Sequence, residues 1–283
     1  MLGHRLLRQL ASRHEARVTL RRPLREYERF GLFDRANAYA EADIRDAARI
    51  EAVLADFSPE AVVNAAGIVK QRADPRLDVV SMEVNALAPH LVARACIRRG
   101  AQLVHLSTDC VFSGKKGNYS EQDRPDHGDV YGLSKLLGEA DGRGVLTLRT
   151  SMIGPELHRK TGLVEWFLSQ RGQAKPVPGW RRAIFSGFTT AELARLIETL
   201  LTRYPQATGL YHASSTPISK HELLSALNRR LQFGIRIESA DQPVCDRSLD
   251  STRFRAAFGY APPTWDAMLD ELAGDIASLK APG

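Results

Sequence analysis

Short apolar runs alternate with amphipathic stretches as far as residue 151. The apolar runs are rich in valine, leucine and isoleucine and end at polar residues, which is typical of buried strands. The amphipathic stretches repeat their apolar positions with helical spacing. The pattern predicts helix 6–11, strand 18–20, helix 47–54, strand 61–64, helix 84–97, strand 102–106, a helix that contains Tyr131, and strand 145–148.

This alternation predicts an α/β fold, built on a doubly wound parallel sheet with helices on both faces. After Ser151 the pattern breaks into shorter pieces, punctuated by Gly154-Pro155 and Pro178-Gly179. We therefore predict a dinucleotide-binding core over residues 1–151. Residues 152–283 should form a smaller, mainly substrate-binding lobe that is intertwined with the core and is not an independent domain.

Length and composition limit the classes of protein. A chain of 283 residues with 43% hydrophobic residues can fill a large core. The formal charge of +6 comes from dispersed arginines, so we expect a solvated surface and no nucleic-acid partner. Cys96, Cys110 and Cys245 have neither metal-ligand spacing nor a disulfide framework, which indicates a reducing cytosol. No apolar run approaches the ~18 residues of a membrane span, so we expect a cytoplasmic protein without a membrane partner.

The segment from Asp129 to Glu139 carries the clearest chemical signal. Tyr131 and Lys135 are four residues apart, so a helix places both side chains on one face. An ammonium beside a phenol stabilises the phenolate and should lower the pKa of Tyr131, which makes the hydroxyl a proton donor or acceptor near neutral pH. Taken alone, the spacing also fits a tyrosine and a lysine on a solvated helix face.

Two predicted strands end in residues suited to a ligand site. Strand 102–106 runs into Ser107-Thr108-Asp109, and strand 61–64 ends at Asn64 and continues into Ala65-Ala66-Gly67. Open α/β sheets bind ligands at the carboxyl ends of their strands. Hydroxyl and carboxylate groups would lie at this edge, and the small residues would let a flat cofactor approach the backbone.

Together these motifs resemble the extended short-chain dehydrogenase/reductase family, in particular its dTDP-4-dehydrorhamnose reductase group. The run from Ser107 to Gly114 is similar to a motif of that group, as are the segments 130–139, 148–151, 209–212, 247–250 and 262–265. The likeness spans nearly the whole chain and implies a Rossmann-like core. It also implies that Thr108, Tyr131 and Lys135 are catalytic, and that Tyr131 and Lys135 contact the cofactor.

The amino terminus departs from the family pattern. Members begin with an apolar strand and a glycine-rich turn that seats the cofactor pyrophosphate at a helix N-terminus. Residues 1–7 resemble only the last glycine of that turn, Gly3, and the helix behind it. We expect a gap or a rearranged pairing between the strand near Leu20 and the strand that begins near Ala61. Two explanations stay open, a longer natural protein and an enzyme that works without the first strand.

Residues after two of the predicted strands bear on the cofactor. Arg21 and Arg22 follow strand 18–20, where NAD-specific members carry an acid, so they could pair with the 2′-phosphate of NADP(H). We therefore expect NADP(H) in preference to NAD(H), although two arginines that begin an exposed loop would give the same pattern. Asp43 and Ile44 resemble the family segment beneath the adenine, and Asp43 fits equally well as the N-cap of the next helix.

The residue after Asp109 helps to choose the reaction. Nucleotide-sugar 4,6-dehydratases carry Asp-Glu after the catalytic threonine, whereas this chain has Asp109-Cys110, so elimination would lack its base. The resemblance therefore implies NADPH-dependent reduction of a 4-keto nucleotide sugar, with dTDP-4-dehydrorhamnose as the expected substrate. An epimerase with tightly bound NAD(P) and a non-catalytic NADP-binding regulatory subunit stay open as alternatives. Mg²⁺ and a homodimer rest on the resemblance alone, and no residue is assigned as a metal ligand.

Several further residues are candidate substrate contacts, and most of them can also be explained by a purely structural role. Asp109 should contact a sugar hydroxyl by resemblance, or it caps a turn. Met152 stands where rhamnose-forming reductases carry a tryptophan, which reduces the stacking area for a sugar ring. Trp180 could supply an aromatic wall from the lobe, and core or surface packing explains it equally well. Lys70 could meet a phosphate or be solvated.

Overall fold

A four-stranded parallel sheet organises the part of the chain that the computed structural model describes, residues 1–69, 75–158 and 160–278. Its strands are β3 (Ala61–Asn64), β4 (Gln102–Leu106), β5 (Val145–Arg149) and β10 (Gly209–His212). They lie in the order β10-β5-β4-β3, and each neighbouring pair is parallel. The prediction of an α/β fold with a parallel sheet is confirmed.

Helices cover both faces of this sheet, and side-chain caps fix where several of them begin. The Asp46 carboxylate accepts a hydrogen bond from the Arg49 backbone N–H, and the Asp129 carboxylate accepts one from Gly132, each at 2.9 Å. The helices are α1 (Leu2–Leu10), α2 (Ala47–Phe57), α3 (Pro75–Ser81), α4 (Ala88–Arg99), α5 (Val130–Leu137), α6 (Leu163–Leu168), α7 (Thr190–Arg203), α8 (Lys220–Leu231), α9 (Thr252–Phe258) and α10 (Trp265–Ser278). A π-helix (Met82–Leu87) leads into α4, and 3₁₀ turns cover Leu24–Glu26, Glu28–Phe30 and Asp109–Val111.

The two faces of the sheet belong to different cores. Val104, Leu106 and Leu148 pack with apolar residues of α1 and α7 on one face. Leu103 and Val145 pack with apolar residues of α2 and α4 on the other. Because side chains alternate along a strand, His105 lies on the same face of the sheet as Leu103, the face covered by α4. Burial on both faces explains why these strands read as continuous apolar runs.

A second sheet contains only two short strands. β1 (Val18–Thr19) and β2 (Ala38–Tyr39) pair with each other in parallel. Among the described residues, no strand joins β1 to β3. The expected gap between the strand near Leu20 and the strand that begins near Ala61 is therefore present.

Residues after Ser151 build smaller sheets and also complete the main one. The remaining strands are β6 (Met152–Ile153), paired with β9 (Phe188–Thr189); β7 (Val177–Trp180), paired with β12 (Ile237–Ala240); and β8 (Ala183–Phe185), paired with β11 (Ile218–Ser219) and β13 (Cys245–Asp246). Around Phe167, Leu223 and Leu272, α6, α8 and α10 bury a third core. However, α7 and β10 belong to the core and sheet of the first part. The division at residue 151 stays a prediction.

Element boundaries follow the sequence pattern closely at the sheet. The predicted strands 61–64 and 102–106 match β3 and β4 residue for residue. The predicted helix 6–11 begins earlier, at Leu2, and the predicted helix 84–97 is divided between the π-helix and α4. No helix in the described ranges is both long and apolar enough to span a lipid bilayer.

Candidate active site

The end of β4 and the start of α5 bring two of the predicted catalytic residues together. Thr108 follows β4 and caps the 3₁₀ turn, because its Oγ1 accepts a hydrogen bond from the Cys110 backbone N–H at 3.1 Å. Tyr131 lies in the first turn of α5, and its phenol is near enough to the Thr108 side chain for the two to interact. Gly132 allows this approach, since a Cβ there would lie 2.3 Å from the Cys110 carbonyl oxygen. A substrate carbonyl oxygen could contact both hydroxyls.

Lys135 lies one turn further along α5 and is buried. Its Nζ donates a hydrogen bond to the carbonyl oxygen of Leu106, the last residue of β4, at 2.5 Å. Desolvation lowers the pKa of Lys135 to about 8, and the nearby Glu139 carboxylate opposes that shift. The ammonium is therefore fixed at the carboxyl end of β4.

The pKa of Tyr131 differs from the expectation. Desolvation raises the pKa of this phenol above its usual value, and Cys110 adds to the shift, whereas the interaction with the Thr108 side chain opposes it. Lys135 is not among the main causes of the shift, and its Nζ is bonded to the Leu106 carbonyl. The phenol stays protonated at neutral pH, which is the state that can donate a proton.

Asp109 lies beside the catalytic threonine and is buried. Its Oδ1 accepts a hydrogen bond from the Thr108 hydroxyl at 3.2 Å. Burial raises the pKa of Asp109, while a hydrogen bond with Ser151 and the charge of Arg247 oppose the rise. Thr108, and not Asp109, caps the 3₁₀ turn, so the turn-cap alternative for Asp109 is wrong. Contact with a sugar hydroxyl stays a prediction.

Arg247 approaches the site from the end of the chain, and no site role was predicted for it. Its Nε donates to the Phe112 carbonyl oxygen at 2.8 Å. Its charge also acts on Cys110 and Asp109. The available signal was the family-like segment 247–250, which marked this region without indicating what it contacts.

A buried ion pair supports the site from behind, and sequence reasoning missed it too. The Arg149 guanidinium donates to both carboxylate oxygens of Glu139 at 2.7 Å. The Ser107 hydroxyl donates to Glu139 as well, also at 2.7 Å. These bonds connect α5 with the ends of β4 and β5, the elements that carry Lys135 and Thr108. Both ionic residues lie inside the segments that resemble the family, 130–139 and 148–151.

The segment after β3 offers the open, small-residue surface that a flat cofactor needs. Asn64 is buried, whereas Ala65, Ala66 and Gly67 are exposed. The Asn64 Oδ1 accepts a hydrogen bond from the Ala66 backbone N–H at 3.2 Å, which closes a tight turn. These residues fit the predicted nicotinamide cofactor, because Ala65, Ala66 and Gly67 are small and exposed.

Asn85 of the π-helix anchors the same segment to the catalytic helix. Its Oδ1 accepts from the Ile68 N–H and its Nδ2 donates to the Ile68 carbonyl, each at 2.9 Å. The Nδ2 also donates to the Ser134 hydroxyl at 3.2 Å. The cofactor-facing turn and α5 are thus held by one buried amide, for which no site role was predicted.

Arg21 and Arg22 follow β1 and line a cleft of about 580 Å³. The cleft is also lined by Glu26, Arg29 and His158. Arg22 pairs with Glu26 at 2.8 Å, and Arg29 Nη2 donates to His158 Nδ1 at 3.1 Å. Three guanidinium groups against one carboxylate leave the cleft positively charged, which fits a phosphate group.

The other predicted cofactor residues have the following positions. The Asp43 carboxylate accepts from Arg45 Nη2 at 2.8 Å, and this hydrogen bond lowers the pKa of Asp43. Asp46 caps α2, so the N-cap alternative for Asp43 is wrong. Ile44 packs against the core between α2 and α4, and Gly3 lies exposed near the start of α1. The structure does not bring Gly3 or Asp43 into contact with the catalytic residues through any described bond.

The candidate substrate residues of the lobe pack on other parts of the protein. Met152 packs against the core on the α7 side. Trp180 stacks on Trp166 with ring centroids 5.4 Å apart, and the Lys220 ammonium lies over its ring at 5.8 Å. A role of Met152 or Trp180 in substrate binding stays a prediction. Lys70 lies outside the described residues.

We searched the described part of the chain for side chains that could bind a metal ion together. Within it, no three histidine, cysteine, aspartate or glutamate side chains are grouped to hold one. Mg²⁺ stays an implication of the resemblance alone, and we assign it no step.

Comparison with known proteins agrees with the geometry. The family model described as RmlD substrate binding domain matches residues 1–277. A dTDP-4-dehydrorhamnose reductase of Aggregatibacter actinomycetemcomitans is 26% identical over 83% of this chain and 87% of its own length. A crystal structure described as a hypothetical dTDP-4-dehydrorhamnose reductase from Sulfolobus tokodaii has a TM-score of 0.75 and 28% identity, covering 94% of this chain and 95% of that one.

A second crystal structure shares the fold at lower identity. This dTDP-4-dehydrorhamnose reductase of Bacillus anthracis, in complex with NADP, has a TM-score of 0.74 and 19% identity, with 91% of this chain and 98% of that chain covered. The family match extends over nearly the whole chain and includes the Thr108, Tyr131 and Lys135 motifs. The chain therefore belongs to the RmlD substrate binding domain family.

Proposed function

We propose that the protein catalyses the NADPH-dependent reduction of a 4-keto nucleotide sugar, with dTDP-4-dehydrorhamnose converted to dTDP-L-rhamnose as the specific reaction. The observation that carries the proposal is the proximity of the Thr108 and Tyr131 side chains, with Lys135 fixed at the end of β4. The substrate class rests on the family and on the names of the relatives described above.

In this mechanism the chain binds the substrate carbonyl and supplies the proton. Thr108 donates a hydrogen bond to the carbonyl oxygen, and Tyr131 gives its phenolic proton to the same oxygen as it becomes an alkoxide. NADPH, when bound, supplies the hydride to the carbonyl carbon. Lys135, fixed at the end of β4, holds the ribose. One proton and one hydride thus convert the ketone to an alcohol.

The neighbour of Asp109 supports reduction over elimination. Burial raises the pKa of the Cys110 thiol to about 12, and the charge of Asp109 adds to the shift. A thiol with this pKa stays neutral at physiological pH, so it cannot act as the base that elimination of water requires. Asp109 itself is available to bind a sugar hydroxyl.

The arginine-lined cleft supports NADPH as the reductant. Arg21 and Arg22 follow β1 directly, and Arg29 reaches the same cleft from the second 3₁₀ turn. A 2′-phosphate would find guanidinium donors there, whereas the 2′-hydroxyl of NAD(H) would use few of them. We assign Arg21 and Arg22 to the phosphate, with Ala65, Ala66 and Gly67 beneath the cofactor.

The test is an assay of NADPH oxidation with a panel of 4-keto nucleotide sugars. The matched control is Tyr131→Phe, which deletes the proton donor but no packing surface. We expect turnover with at least one sugar and a loss of about 10²–10⁴-fold in kcat for the variant. Binding of NADPH, followed by fluorescence titration, should stay nearly unchanged. A wild-type rate in Tyr131→Phe would remove the tyrosine from the mechanism, and no turnover with any sugar would contradict the proposed function.

A further inference from the structure

His105 is a fully buried histidine that the mechanism above does not use. It lies in β4, directly opposite Asn64 in the parallel register of β3 and β4. The Asn64 Nδ2 and the His105 Nδ1 are 3.1 Å apart. His105 therefore contacts the residue that begins the cofactor-facing turn, and it precedes Leu106, whose carbonyl binds Lys135.

The bonds of Asn64 determine which ring nitrogen of His105 carries the proton. The Asn64 Oδ1 accepts from the Ala66 N–H, so the amide nitrogen faces His105. An amide NH₂ can only donate, so the His105 Nδ1 must be the acceptor. Burial lowers the pKa of His105 well below its usual range, and the charge of Lys135 adds to this shift, so the ring is neutral. Its single proton therefore resides on Nε2.

The Nε2–H group is a buried donor that has no acceptor among the residues that the structure describes. The groups whose charges reach the ring are Lys135 of α5 and His90 of α4. Lys135 has three N–H donors, and the Leu106 carbonyl receives one of them. The His105 Nε2–H and the Lys135 ammonium are both donors, so they cannot bond to each other. A water molecule is the small acceptor that can receive a hydrogen bond from both.

We propose that His105 is a positioning residue for the reduction, acting on two sides of its ring. Its Nδ1 holds the turn Asn64–Gly67, and its Nε2–H holds a buried water molecule that also accepts from the Lys135 ammonium. That water fixes the direction of the ammonium and gives it a partner when it exchanges a proton. The proposal rests on the proposed function, because it assigns Lys135 its role in catalysis.

Two conservative substitutions separate the two sides of the ring. His105→Asn keeps an acceptor near the position of Nδ1 and lacks Nε2, whereas His105→Gln places an amide near Nε2 and lacks the Nδ1 acceptor. For His105→Asn we expect kcat to fall about tenfold and the alkaline limb of the kcat/KM profile to shift, with NADPH affinity within about twofold of the wild type. His105→Gln should weaken NADPH binding about tenfold with a smaller effect on kcat.

The matched control is Val104→Ala, which opens a cavity in the core on the opposite face of the same strand. It should lower thermal stability without moving the pH profile or the balance between kcat and NADPH affinity. If both His105 variants changed only stability, as the control does, the positioning role would be overturned.

A measurement on the wild-type protein keeps the inference testable if the variants fail to fold. Nitrogen NMR of histidine-labelled protein reports the tautomer of each ring directly, and titration of labelled lysine reports Lys135. We expect the Nε2–H tautomer for His105 throughout the neutral range, and a contact from that proton to a long-lived water. A proton on Nδ1, or a charged ring at neutral pH, would overturn the inference. Loss of activity toward every sugar, with these NMR and binding results intact, would instead contradict the proposed function.

Discussion

Tyr131 and Lys135 have pKa values shifted in opposite directions by the same physical cause. Burial disfavours the charged form of each group, so it raises the pKa of the phenol and lowers that of the ammonium. At neutral pH the tyrosine keeps its proton and most of the lysine remains charged. The proposed reduction needs this combination, because Tyr131 must carry its proton while the Lys135 cation holds the ribose.

The lysine therefore sets the alkaline limit of the reaction. Its pKa of about 8 means that the ammonium is present below that pH and is lost above it, while Tyr131 stays protonated. We expect kcat/KM for reduction to fall as the pH rises through about 8, measured by NADPH oxidation across a pH series. Lys135→Arg keeps the charge at high pH, so this variant should be slower but should not show that decline. A flat wild-type profile up to about pH 10 would exclude Lys135 as the limiting group.

Arg22 gives a test of cofactor choice at the residue scale. Arg22→Ala should raise the KM for NADPH about tenfold and leave the KM for NADH nearly unchanged, because only NADPH carries the phosphate. Arg25→Ala is the matched control. Arg25 lies in the same segment between β1 and β2, is exposed, and is not part of the cleft lining. Equal effects of Arg22→Ala on both cofactors would remove the 2′-phosphate from this cleft.

At the scale of elements, catalytic geometry depends on how closely α5 approaches its neighbours. A Cβ at Gly138 would lie 1.8 Å from the Asn85 carbonyl oxygen, so only glycine lets the end of α5 rest on the π-helix. The Glu139–Arg149 pair then joins α5 to β5 next to this contact. The acid-base pair is therefore positioned by elements packed against each other and not by a loop.

The buried ion pair should be costly to break. Glu139→Gln leaves the Arg149 guanidinium buried with 4% of its side chain exposed and without its carboxylate partner. We expect the free energy of unfolding to fall by about 3–5 kcal/mol, measured by urea denaturation. Asp241→Asn is the control, because its pair with Arg181 is exposed and should contribute little. A loss as small as that of the control would show that the pair does not stabilise the end of β5.

The local sequence pattern was enough to predict the strands and the helix that contains Tyr131. It failed for features that depend on contacts between residues distant in the sequence. β3 and β4 were predicted residue for residue because each is a short apolar run that ends at polar residues. The π-helix has the same apolar pattern as an ordinary helix, so the pattern could not distinguish the two. The bond between Asn85 of the π-helix and Ile68 is likewise not contained in that pattern. The bond of Arg247 to the Phe112 carbonyl joins residues 135 positions apart, and no local pattern contains it. The tyrosine pKa was predicted with the wrong sign because burial of the phenol, which a local pattern does not contain, dominates the shift.

At the scale of the whole molecule, the parallel strands are divided between two sheets of unequal strength. The four-stranded sheet is buried between helices on both faces, whereas β1 and β2 contribute two residues each to a separate sheet. The cleft that we assign to the cofactor phosphate begins directly after β1. The phosphate end of the cofactor site is thus built on the smaller sheet, and the catalytic end on the larger one.

Hydrogen exchange should reveal this division directly. The Leu20 amide donates to the Tyr39 carbonyl and the Leu103 amide donates to the Gly144 carbonyl, so both are hydrogen-bonded and a difference in exchange reports the opening of the sheet. We expect the Leu20 amide to exchange at least about tenfold faster, because a small sheet opens locally whereas β4 opens only with the core. Addition of NADPH should slow exchange at Leu20 more than at Leu103, since the proposed cofactor site lies on both sheets. Equal protection of both amides in the free protein would show that β1 and β2 unfold only with the whole molecule.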